Sequence, residues 1–273
     1  MNNLPLTCLA RISLCFALAG CFLCVLTGCD GFIQGFVKDE SGFDGAVTVL
    51  SARRDGACGV VTVRVPYLDI YGNARAGRAR LVVHRNQVRC GSPVPAFCHV
   101  HYEMNLGAAK KWAERGWAVF TAEYNAEAPI AVSMGDGYNQ ARAILQWVRR
   151  CPFIDGARLH LDGGSQGGYM ALAMSADMFP VTSATADAPV VNWAYNFGYF
   201  EANHTLVAGF TAPMESPLPV LASVLPLADM AYEHFPRDLA NDTWFYISPV
   251  AQVNRITNPV LVTIATGDML VPM

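Results

Sequence analysis

Charge is scarce in this chain: 15% of its 273 residues are Asp, Glu, Lys or Arg, against 53% hydrophobic ones, and the formal net charge is −3. So apolar a composition excludes a disordered chain, and no basic surplus exists to neutralise nucleic-acid phosphates. No nucleic-acid partner is expected. Internal repeats and low-complexity tracts are absent, which leaves one globular domain large enough for a sizeable core. No cysteine spacing matches a zinc site, so no metal and no cofactor is called for. Histidine is short as well: there are six, and none follows His234.

What is present begins with a distinct N-terminus. Arg11 is followed by an apolar run from Ile12 to Thr27 that reads as a secretion signal, its uninterrupted part being short for a membrane span. Leu26-Thr27-Gly28-Cys29 resembles the bacterial lipobox. That resemblance implies a lipidated Cys29 as the new N-terminus and a domain anchored to a membrane face of the bacterial envelope, outside the cytoplasm. Simple secretion after cleavage stays open. The expected organisation is a signal over 1–28, a tether and lead-in strand over 29–55, and one domain over 56–273. Cys58, Cys90, Cys98 and Cys151 would remain in the exported domain, where disulfides are permitted. Their pairing is not fixed by spacing.

Hydrophobic alternation over Val60–Val65 and Ala79–Val83, either side of Tyr71-Gly72-Asn73, predicts two antiparallel strands. The stretch from Val94 to His101 is apolar on both faces and belongs near a sheet centre. Leu106, Ala109 and Ala113 share a helical face, with Asn105 as cap and Gly116 as stop. A strand follows from Trp117 to Ala122. A second helix begins near Ser133 and carries Ala141, Ile144, Leu145 and Val148 on one stripe. Later strands are expected over Val181–Asp187 and Asn258–Ile264. Such alternation gives a mostly parallel sheet covered on both faces. Residues 192–248 interrupt it with aromatics and prolines, an insertion that reads equally as a cap or as its own small core.

Gly163-Gly164-Ser165-Gln166-Gly167 fits G-x-S-x-G between an apolar strand and a helix. In this nucleophile elbow a tight turn lifts the serine hydroxyl above the sheet edge, and side chains at 163 and 167 would collide across it. Together with Trp112–Val119, Asp136–Asn139 and Asp187–Trp193, this stretch makes the chain resemble the α/β-hydrolase fold and its prolyl oligopeptidase-like branch. The resemblance implies a serine hydrolase of small ester or peptide substrates: Ser165 as nucleophile, Asp268 as triad acid, and the Gln166 N–H with the Tyr102 hydroxyl as oxyanion hole. In this fold the triad histidine follows the acid. None follows Asp268 here, so the expectation is a chain that stops before the last strand, helix and histidine, inactive as it stands. The competing reading is a non-catalytic, lipid-anchored surface binding protein on a hydrolase scaffold.

Overall fold

The computed structural model describes residues 45–89, 91–123, 134–177, 180–199 and 235–266, together with Asp268 and Val271. Cys29 and the leader, Cys90, Ser133 and residues 200–234 of the insertion lie outside the described residues.

Eight strands form one sheet: β1 (Thr48–Asp55), β2 (Cys58–Leu68), β3 (Ala74–His84), β4 (Val94–His99), β5 (Ala118–Glu123), β6 (Ile154–Gly164), β7 (Ser183–Asp187) and β8 (Val260–Thr263). Their spatial order is β1-β2-β3-β5-β4-β6-β7-β8. The first three pair antiparallel, β3 meets β5 antiparallel, and everything from β5 to β8 is parallel. The β2–β3 turn forms where the Tyr-Gly-Asn signal stands. Asp69 Oδ1 accepts from the N–H groups of Tyr71 at 2.9 Å and Asn73 at 2.8 Å, and Gly72 supplies the left-handed backbone at φ 82°.

The main helices are α1 (Arg85–Arg89), α2 (Leu106–Glu114), α3 (Met134–Arg150), α4 (Gln166–Ala176), α5 (193–199) and α6 (Asp242–Tyr246). Asn105 caps α2 by accepting from the Gly107 N–H at 2.8 Å, and Gly116, at φ 105°, ends it. Ala109 and Ala113 bury against Phe97 and Val119 on one face of the sheet. The other face carries α3 and α4 over a larger core that includes Leu145, Val148, Leu159 and Leu161. All eleven residues of α4 are buried. A helix apolar all round belongs at the centre of a large core, and α4 sits directly above β6 and β7.

Strand β4 lies between β5 and β6, as its two-sided apolar pattern requires. In the described parts of the insertion, Trp193 and Phe197 stack at 5.6 Å between centroids and pack against Tyr169 and Trp244. Those aromatics are core, whereas Tyr195 is exposed. Cys58, Cys98 and Cys151 are buried. Cys58 belongs to the α2-side cluster while Cys98 and Cys151 belong to the opposite one. No helix among the described residues is long and apolar enough to cross a membrane.

Candidate functional site

Three non-glycine residues among those described have left-handed backbone: His101 at φ 75°, Ser165 at φ 53° and Ala188 at φ 43°. They stand just past the C-terminal ends of β4, β6 and β7, which are neighbours in the sheet. Each such residue stores about 1–3 kcal/mol of strain, held only where the surroundings over-determine it. Open parallel sheets place their ligand sites at this end. The strain and the topology therefore single out the same place.

Ser165 is the turn between β6 and α4. Its N–H donates to the Asp187 carbonyl at 2.8 Å, and its own carbonyl accepts the first helical bond, from the Tyr169 N–H at 3.0 Å. The glycines around it are required by contact distance. A Cβ on Gly163 would stand 2.4 Å from the Gly167 carbonyl oxygen, and one on Gly167 would stand 2.7 Å from that of Val100. A Cβ on Gly168 would be less crowded but still tight, at 3.1 Å from the carbonyl oxygens of Asp187 and Gly163. The elbow is thus locked to β4 and β7 as well as to its own strand.

Gln166 is the first residue of α4 and is buried. Its N–H lies in the first helical turn, where no acceptor exists within the helix. Tyr102 follows β4, and its hydroxyl lies near enough to the Ser165 side chain for that group to act on its pKa. The residue as a whole is 40% exposed, but desolvation of the hydroxyl raises its pKa above the usual tyrosine value, and the nearby Ser165 side chain opposes this in part. Three of the residues expected at the site, Ser165, Gln166 and Tyr102, are therefore brought together. Asp268 lies in the turn after β8, half-buried. Its N–H donates to the Ala265 carbonyl at 3.1 Å and its Oδ1 accepts from the Val271 N–H at 2.9 Å.

The four described histidines are committed elsewhere or desolvated. His84 Nδ1 accepts from the Asn86 N–H at 3.4 Å, His99 Nδ1 lies 2.6 Å from Asp162 Oδ2, and His160 bonds Ser183 and Thr185. His101 is 5% exposed, its ring edge-on to Tyr102 at 4.3 Å, with Nδ1 buried and without a hydrogen-bond partner. Burial, aided by the neighbouring charge of His99, lowers its pKa to about 4. It is a neutral ring at neutral pH.

Sequence reasoning missed three supporting groups: the Asp187 carbonyl, Arg80 and Thr121. Of the last two, Thr121 carried a signal, a threonine within the apolar run Ala118–Ala122, whereas Arg80 is one of three arginines on β3.

No protein-family model and no curated protein matches this chain. Solved structures do. The chain is similar to acetyl xylan esterase 1 from Thermoanaerobacterium sp., with 13% identity and a TM-score of 0.58, over 88% of this chain and 78% of that one. An acetyl xylan esterase from Paenibacillus sp. aligns at 16% identity and 0.56, over 85% and 77%. This is the α/β-hydrolase fold. A Pyrococcus horikoshii acylaminoacyl peptidase shares it at 11% identity and 0.54, over 82% of this chain but 41% of the peptidase. Within the α/β-hydrolase sheet, β6 is the strand that leads into the elbow.

Proposed function

We propose that the protein is an envelope-anchored serine hydrolase that cleaves an ester or peptide bond through an acyl-enzyme on Ser165. The observation that carries this reading is Ser165 itself, held at φ 53° on a glycine-locked turn with its hydroxyl against Tyr102. In the mechanism, Ser165 Oγ attacks the carbonyl carbon and loses its proton to a histidine. The carbonyl oxygen becomes an oxyanion beside the Gln166 N–H and the Tyr102 hydroxyl. The histidine then protonates the leaving group, and water repeats the sequence to release the acid. Asp268 orients that histidine. The base is a histidine other than the four described ones: His84, His99 and His160 are each hydrogen-bonded through Nδ1 to another residue, and His101 is desolvated.

The likeness to both esterases and a peptidase supports the hydrolase scaffold, and it places this chain with neither substrate class. The prolyl oligopeptidase-like branch remains part of the proposal, resting on the elbow sequence. So does the lipid anchor at Cys29: the protein expressed in a lipoprotein-processing bacterium should incorporate labelled fatty acid, and Cys29→Ala should not. The catalytic reading is tested with a short-chain nitrophenyl ester on protein that carries the triad histidine. Turnover should fall to background in Ser165→Ala, and turnover that survives this change overturns it.

A further inference from the structure

The turn that carries Tyr102 is clamped from below by two side chains with no other evident task. Thr121, on β5 and 1% exposed, meets both of its ends. Its Oγ1 accepts from the Met104 N–H at 2.7 Å and offers its proton to the Tyr102 carbonyl at 3.2 Å, with the Ala122 carbonyl at 3.1 Å as the alternative acceptor. Arg80, its register partner on β3, holds the rest. Nη1 donates to the Met104 carbonyl at 3.4 Å, and Nη2 donates to Glu103 Oε1 and, at 3.2 Å, to Glu123 Oε1. Arg78 closes the network on Glu123 Oε2 at 3.2 Å, so two guanidinium groups face two carboxylates.

A buried threonine and a nearly buried arginine inside a sheet are costly unless their polar atoms are used. Here they are spent on three consecutive residues, 102 to 104, directly after the strained His101. The chain leaves β4 in a left-handed conformation, and the Tyr102 N–H turns back to the Val100 carbonyl at 3.0 Å. Unclamped, such a turn would relax and carry the phenol away from Ser165.

We propose that Thr121 and Arg80 are positioning residues that hold the Tyr102 hydroxyl at the oxyanion position. The proposal rests on the reading of Tyr102 as an oxyanion donor. Thr121→Val removes the hydroxyl at nearly constant shape, Thr121→Ser restores it, and Arg80→Lys keeps the charge but loses the planar fork.

The test uses protein labelled with carbon-13 at the tyrosine ring carbon bearing the hydroxyl, the Tyr102 resonance being assigned by its loss in Tyr102→Phe. In wild type and Thr121→Ser this resonance should titrate above the ordinary tyrosine value. In Thr121→Val and Arg80→Lys its midpoint should move toward that value. In parallel, the maximal rate of Ser165 labelling by a fluorophosphonate should fall about tenfold in Thr121→Val, with the half-saturating concentration changed less than about threefold, a fraction of the 100-fold or more lost with a whole oxyanion donor. Thr121→Ser should recover it. If Thr121→Val does not fold, Arg80→Lys carries the same two readouts. An unchanged Tyr102 titration in folded Thr121→Val, or in Arg80→Lys where that is the variant read, overturns the proposal. A shifted titration with full labelling in Tyr102→Phe keeps the clamp and instead overturns the oxyanion role of Tyr102.

Discussion

Two strand ends in this sheet carry the nucleophile and the acid of the proposed triad, and they are built differently. At the end of β6, Ser165 is gripped by the Asp187 carbonyl, by glycine contacts to β4 and β7, and by a helix with all its residues buried. At the end of β8, Asp268 is held within its own turn, and the strand before it leaves Leu261 60% and Val262 41% exposed. Among described strands β8 pairs only with β7. The nucleophile and oxyanion side is therefore a product of the core, and disturbing it should cost folding free energy. The acid side sits beside a strand with exposed side chains, and disturbing it should cost chemistry more than stability.

The largest expected effect follows from the closest contact. Gly163→Ala would push a methyl against the Gly167 carbonyl, backbone that cannot swing aside, and should destabilise by about 3 kcal/mol or more, at the top of the overpacking range. Urea denaturation reads it, and a loss below about 1 kcal/mol would show that the elbow is not rigidly locked.

Acid should come next, through His101. Its native pKa lies near 4 against an ordinary value of 6.5, so both states are neutral above pH 6.5 and the contribution is fully present there. As pH falls toward 4 the unfolded chain takes up the proton first, and up to about 3 kcal/mol of stability is lost. His101→Asn tolerates the left-handed backbone and should flatten the stability–pH curve across that window. An unchanged curve would mean that His101 is solvated.

On the acid side the expectation reverses. Asp268→Asn keeps an oxygen for the Val271 N–H and should shift stability by no more than about 0.5 kcal/mol, while slowing ester turnover about 10⁴-fold in protein that carries the triad histidine. Equal losses of both would erase the contrast between the two ends. Smallest of all, Leu261→Lys on exposed β8 should leave the melting temperature within about 2 °C yet reduce concentration-dependent association seen by light scattering.

The sheet's architecture was legible because its signals are local. Asn105 and Gly116 bracket a helix whose buried alanines recur at the helical period, and the two-sided apolar run at Val94 does sit between two other strands. The elbow was legible because its glycines solve a contact problem within five residues. The support beneath Tyr102 was not, since Thr121 lies 19 residues and Arg80 24 residues from the carbonyls they bind. Periodicity marks Thr121 only as a polar intruder in an apolar run and leaves Arg80 as one of three arginines on its strand. Nor does pattern reveal that His101 and Ala188 share the strained backbone of Ser165, because those angles are imposed by neighbouring strands.

The most direct test of the central claim is to treat the folded protein with a fluorophosphonate and locate the adduct by peptide mass spectrometry. The account predicts one adduct, on Ser165 within the peptide that spans the elbow, lost in Ser165→Ala and slowed in Tyr102→Phe. An adduct elsewhere, or equal labelling of Ser165→Ala, would contradict it.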